Sequence, residues 1–229
     1  MFFRSKIKEN LKLVRKAPIR RVLKRMGVRG AIKSFINSVR YTRSVATILC
    51  DKYAVTSIDR TTTISIPSFC VLGLTSVAPV VEPTYLSVEG TGVFEVTNSN
   101  RGPRFGAGTD VRVSGHLSIG DSWTGKHCRI GCREQVRIGD GCAISWNVDI
   151  LDSNGGHNLF IDGERQPNAE PIIVGDNVWV GHNTIIKKGV DIGDGAVIGS
   201  GSVVTSDVPP NSLAAGDPAE VISTDVEWE

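Results

Sequence analysis

Aliphatic residues recur at every sixth position in the C-terminal part of this chain: Val174, Val180, Ile186, Ile192, Ile198 and Val204. Four of them are followed by glycine, in Val174-Gly175, Val180-Gly181, Ile192-Gly193 and Ile198-Gly199. A period of six matches neither the 3.6-residue turn of an amphipathic helix nor the two-residue alternation of a hairpin sheet. It fits a coil of three short strands, in which about 18 residues bring the chain back above its own path.

Each position of the repeat then has a role. The aliphatic residue points into a triangular prism and stacks on its equivalents one coil away. The next residue is small because it lies near a corner, where a side chain would collide with the neighbouring face. Near copies of one segment start at Val136, Ile172 and Val190, with a fainter one at Leu117; their glycines are Gly120, Gly139, Gly175 and Gly193, at intervals of 19, 36 and 18. The 36-residue interval is the anomaly. Ile138, Ile144 and Ile150 keep the beat, which then stops between Ser153 and Pro171. Residues 153–171 are therefore expected to form a loop extruded from one coil, and a long irregular excursion on a rigid scaffold is where function concentrates.

With these residues in hand, the chain resembles the hexapeptide-repeat acyltransferases, and within them the sugar and polysaccharide O-acetyltransferases of the maltose, galactoside and nodulation type. The resemblance runs from about Leu117 to Ile222. Its most specific stretches are Val174-Gly-Asp-Asn-Val-Trp-Val-Gly181, Val204-Thr-Ser-Asp-Val-Pro-Pro-Asn211 and Ala214-Ala-Gly-Asp-Pro-Ala-Glu-Val-Ile222. It implies a mainly β fold, a left-handed parallel β-helix. It implies transfer of an acetyl group from acetyl-CoA to a hydroxyl of a sugar or surface glycan, with no metal, by a homotrimer whose active sites lie between subunits.

The resemblance also assigns residues. The family's catalytic histidine opens the extruded loop, where this chain has His157; an imidazole titrating near neutral pH suits removal of the acceptor's hydroxyl proton. Relatives carry an acid just upstream, which points to Asp152 as the group that orients the imidazole. Trp179, His182, Ser200, Thr205 and Ser206 fall at positions that line the coenzyme A groove in relatives. One departure concerns the coenzyme phosphates: relatives have Lys or Arg where this chain has Glu220 and Ser223. Lys187, Lys188 or a neighbouring chain are the candidates to replace them.

Other readings of the same repeat are transfer to an amine, on an amino sugar or small amine, and the γ-class carbonic anhydrases, which hold zinc through three histidines. The chain has four histidines, at 116, 127, 157 and 182, without the close pairing expected of that zinc site. His116 and His127 are expected to face solvent or a neighbouring coil.

A net charge of +2 conceals an asymmetry: residues 1–43 hold 14 Lys/Arg and one acid, Glu9, leaving 12 basic and 23 acidic residues in the remainder. Two amphipathic stripes, one from Ile7 to Met26 and one from Ala31 to Val39, predict a basic helical arm over residues 1–44. Two roles are open to it: capping the first coil of the solenoid, or peripheral contact with an anionic membrane through residues 1–26. The charge is confined to this arm and lacks aromatic interleaving, which disfavours nucleic acid. No run of apolar residues is long enough to span a bilayer, and Phe2-Phe3 lead straight into charge rather than a signal-peptide core. The β-helix is assigned to residues 45–222, its early coils imperfect between 45 and 115, followed by a tail at 223–229. Five cysteines, Cys50, Cys70, Cys128, Cys132 and Cys142, make an odd, irregular set that suits a reducing cytoplasm rather than a disulfide framework.

Overall fold

The computed structural model describes residues 48–50, 54–59, 61–66, 70–72, 82–98 and 102–229, together with Ile32 and Ser34, both helical. The chain winds as a left-handed parallel β-helix with three faces. The first face is a nine-stranded sheet that begins with Ile48–Cys50 and Cys70–Leu72 and continues through Trp123–Thr124, Ala143–Ile144, Trp179–Val180 and Val197–Ile198. The second face has seven strands, from Val55–Ile58 through Asp149–Leu151 and Ile185–Lys187 to Val203–Val204. The third has six, from Thr63–Ser65 through Gln135–Ile138 and Ile172–Val174 to Asp191–Ile192.

The six-residue beat becomes three inner columns. On the first face Ile144, Val180, Ile198 and Ala214 sit in successive rungs; on the second, Ile130, Ile150, Ile186 and Val204; on the third, Ile119, Ile138, Val174 and Ile192. All are buried. Each buried aliphatic side chain contributes roughly 1.5–3 kcal/mol by leaving water, and parallel pairing satisfies the backbone between rungs.

The glycine after each beat answers to a specific neighbour. Asp140 Oδ1 accepts the Asp121 N–H at 2.7 Å, Asp176 Oδ1 the Asp140 N–H at 2.8 Å, and Asp194 Oδ1 the Asp176 N–H at 2.7 Å. This carboxylate ladder runs up one corner, and each carboxylate oxygen fills the space a Cβ would need at Gly120, Gly139 or Gly175. The Gly-Asp pair is thus one device split between adjacent coils: the aspartate caps the backbone below, and the glycine below makes room for it.

The coils are not uniform. Val55 pairs with Tyr85 and Tyr85 with Asp110, so the early second-face rungs are 30 and 25 residues apart. Later ones close in 18, as Ile186 with Val204 does. Between Ile150 and Ile186 the chain spends 36 residues on a single rung. The surplus forms an excursion, fastened at its base by the Ser153–Ala169 bridge and by Asn154 N–H donating to Asn168 O at 2.8 Å. Its tip is a β-hairpin, Phe160–Ile161 against Glu164–Arg165, turned by Asp162 and Gly163 with φ of 50° and 83°, the left-handed pair of a tight type I′ turn.

After the last parallel rung the chain reverses: Ala219–Thr224 runs antiparallel to Ser212–Gly216. The following residues fold back over the first face, where Trp228 Nε1–H donates to Asn177 O at 2.7 Å and its ring lies 6.1 Å from that of Trp179. The basic arm over residues 1–44 lies outside the described residues apart from Ile32 and Ser34, and no described helix is long and apolar enough to cross a membrane.

Two expected outcomes follow from the corners and the core. Gly195 has φ of 69°, and the Asn211 side chain occupies the space of its absent Cβ. Gly195→Ala should lower stability in urea unfolding by at least the ~1–2 kcal/mol of left-handed strain, and Asn211→Gly in the same chain should recover the part due to contact. Burial pushes the Cys128 thiol up to about 11 and Cys132 up to about 12. Since the thiolate is the reactive form, Cys128, Cys132 and Cys142, all buried, should resist alkylation in the native protein and react fully in denaturant, as read by peptide mapping.

Candidate active site

The site residues are distributed by the corners of the prism. Asp152 follows the second-face strand Asp149–Leu151 at the corner between the second and third faces. It is fully buried, and its carboxylate accepts backbone N–H groups from Arg133 at 2.8 and 2.9 Å, Glu134 at 2.7 Å and Gln135 at 3.0 Å. Burial pushes the Asp152 carboxyl up from its ordinary value, and the three amide hydrogen bonds pull against that shift. Its own backbone C=O accepts from Glu170 N–H at 3.0 Å, so the residue clamps both the coil below and the return of the excursion.

His157 lies five residues on, in the exposed first part of the excursion; its backbone N–H reaches Asn154 O at 3.4 Å. Its imidazole makes no hydrogen bond to Asp152, whose oxygens serve the backbone of residues 133–135 instead. The pairing of acid and imidazole read from the sequence is therefore absent within one chain.

The groove residues divide into two sets. His182 and Ser200 occupy the corner between the first and second faces, one coil apart, and His182 Nδ1 and Ser200 Oγ are 2.9 Å apart. Trp179 precedes them on the first face, exposed by 43% and tilted at 45° to Trp228. Thr205 and Ser206, both exposed, follow Val203–Val204 at the corner between the second and third faces, the same edge from which the excursion departs. One prism thus carries His157, Thr205 and Ser206 on one edge and His182 and Ser200 on another.

Trp146 belongs to this site and was not among the residues singled out by sequence. Its ring stacks on His182 with centroids 4.7 Å apart and planes 14° from parallel. The signal was present: Trp146-Asn147 precedes His182-Asn183 by the same 36 residues that separate Gly139 from Gly175. Asn147 Nδ2–H donates to Asn183 Oδ1 at 3.0 Å, and both asparagines have φ of 58°.

The remaining candidates find other partners. Lys188 is ion-paired to Glu170 and three-quarters or more buried, whereas Lys187 is exposed beside it. Glu220 is exposed on the reversed strand, opposite Ala215. His116 Nε2 lies 3.2 Å from Glu95 in the neighbouring coil, and His127 Nε2 reaches past Gly108 to lie 3.0 Å from Glu82, two rungs away.

Comparison with known proteins agrees with this architecture. The family described as bacterial transferase hexapeptide (six repeats) matches residues 171–206. Polysialic acid O-acetyltransferase of Escherichia coli O1:K1 is 50% identical over 95 residues, which are 41% of this chain and 31% of that protein. WbbJ of Escherichia coli K12, whose name assigns it to lipopolysaccharide biosynthesis as an O-acetyl transferase, is 31% identical over 137 residues, 54% of this chain and 70% of its own length. The crystal structure of the polysialic acid acetyltransferase NeuO aligns over 77% of this chain and 89% of its own, with 26% identity and a TM-score of 0.48. The chain belongs to the hexapeptide-repeat transferase family. It spans less than a third of the polysialic acid enzyme it matches.

Asp152→Asn removes one acceptor oxygen and turns an NH2 group towards backbone donors. It should cost about 1–3 kcal/mol of stability, the range for a buried polar group left unsatisfied, measured by chemical denaturation.

Proposed function

We propose that this protein is an acetyl-CoA-dependent O-acetyltransferase acting on a hydroxyl of a sugar or surface glycan, with His157 as the general base. The observation that carries the reading is an exposed imidazole on an excursion fastened rigidly at its base, in a chain of this transferase family. The relatives' names, which include O-acetyltransferases of polysialic acid and lipopolysaccharide, support the reaction and the acceptor class.

In this mechanism one imidazole nitrogen of His157 takes the proton of the acceptor hydroxyl as its oxygen attacks the thioester carbonyl. The C–O bond forms, and the carbonyl π electrons move onto oxygen as a tetrahedral oxyanion. Collapse of that intermediate breaks the C–S bond, and the coenzyme thiolate takes the proton from the imidazolium. A preorganised N–H donor stabilises the oxyanion. Asp152 acts as a positioning residue, fixing the point at which the excursion leaves the coil.

The division of the site between two edges supports assembly from copies of the chain. In a trimer, the excursion of one subunit carries His157 to the edge of the next, where Trp179, His182 and Ser200 form the donor groove. Thr205, Ser206 and the exposed Lys187 lie along the edge that bears the base. Within this reading the protein works in the cytoplasm, and the basic arm brings it to the inner surface of the membrane.

His157→Ala should lower transfer from acetyl-CoA by about 10²–10⁴-fold, the usual contribution of a general base, with the thermal unfolding midpoint unchanged. A panel of glycans and amino sugars assayed for acetyl-CoA consumption reads acceptor and O- against N-transfer; undiminished turnover of the variant sinks the assignment. For the shared site, His157→Ala chains mixed and refolded with Ser200→Trp chains should regain about a quarter of wild-type activity, because closed rings place intact halves side by side at random. No recovery would place the whole site in one subunit.

A further inference from the structure

Trp146, His182 and Ser200 form a vertical series on one corner, contributed by three successive coils. His182 is held twice. Its ring face lies on Trp146 at 4.7 Å and 14°, and its Nδ1 is 2.9 Å from the Ser200 hydroxyl. Neither restraint alone fixes the imidazole. A single hydrogen bond leaves the ring free to swing about the N···O axis, and a stack alone leaves it free to slide or flip in its plane. Together they define both the plane and the direction of each nitrogen.

The hydrogen bond between Ser200 Oγ and His182 Nδ1 accommodates either the hydroxyl or the ring N–H as donor. Ser200 Oγ has His182 Nδ1 as its one hydrogen-bond partner among the described residues. With the hydroxyl as donor, Nδ1 is the acceptor and the ring proton resides on Nε2. Nε2 makes no hydrogen bond to any described residue. Trp146 itself is 52% exposed, so this corner faces outward with the His182 imidazole at its centre.

We propose that Trp146 is a positioning residue which holds the His182 imidazole as an Nε2–H donor aimed at a carbonyl oxygen of the acyl donor. The proposal rests on the acyltransferase reading for the identity of that carbonyl, and on the stack itself for the orientation. An amide or thioester carbonyl has the acceptor chemistry that a neutral imidazole N–H recognises. A ring held in place before binding loses less conformational freedom when the donor arrives.

The test uses the full chain with ¹⁵N-labelled histidine, whose four imidazoles give eight ring-nitrogen signals. In the wild type, His182 should show a pyridine-like Nδ1 and a protonated Nε2 before any ligand is added. Trp146→Ala should average the two tautomers, and Trp146→Phe should restore the wild-type pattern. Titration with coenzyme A and acetyl-CoA should then show affinity reduced about tenfold in Trp146→Ala and close to wild type in Trp146→Phe. In a His182→Ala background the Trp146→Ala effect should vanish, the mark of a residue that acts through another. An unchanged tautomer in Trp146→Ala, or an undiminished loss in the His182→Ala background, would overturn the proposal. A wild type with the ordered tautomer but no affinity for either coenzyme form would overturn the acyl-donor contact and the functional reading together, while supporting the orienting role of Trp146.

Discussion

Everything in this molecule depends on one requirement: each residue must stack on its equivalent in the next coil. A parallel β-helix has no separate core to which its strands are later attached. The inner columns, such as Ile144, Val180 and Ile198, are at once the core and the register mark. A shift of one residue would move every aliphatic side chain from inside to outside. The corners enforce the same register with polar groups. Asp140, Asp176 and Asp194 each reach the backbone of the coil below, and only glycine leaves room for them. Hydrophobic and polar selection therefore point to the same spacing.

That agreement explains how much could be read from the sequence. The period of six implied three faces, and the aliphatic columns of the structure follow it residue by residue. The 36-residue interval marked the excursion, because a strict register makes any surplus visible. Asp152 shows where such reading stops. Its three amide donors, Arg133, Glu134 and Gln135, lie a coil below, and nothing in the local sequence around Asp152 identifies a turn that it must cap. Trp146 was hidden for a related reason. It sits at a corner, where the repeat tolerates many side chains, and only the pairing across the excursion brings it over His182. The early coils escape periodic analysis because their rungs are 25 or 30 residues apart, and the fold of Trp228 onto Asn177 has no repeat to announce it.

Rigidity and reactivity are separated in space. The stacked coils hold Trp146, His182 and Ser200 in a fixed geometry. His157 resides on a segment freed from the register, yet tied at its root by Asp152, Ser153 and Asn154. A loop with a clamped base can vary in sequence and length without disturbing the prism, so the excursion and scaffold stability can evolve independently.

The reversed strand Ala219–Thr224 carries a further consequence. A stack of identical rungs presents, at its end, a row of unpaired backbone groups that matches the start of another such stack. Left open, it would invite molecules to join end to end into filaments. Here the terminal rung runs the opposite way and exposes Glu220, so an incoming parallel strand meets the wrong hydrogen-bond pattern and a charge. The same turn that completes the first face therefore closes that face to a further parallel rung.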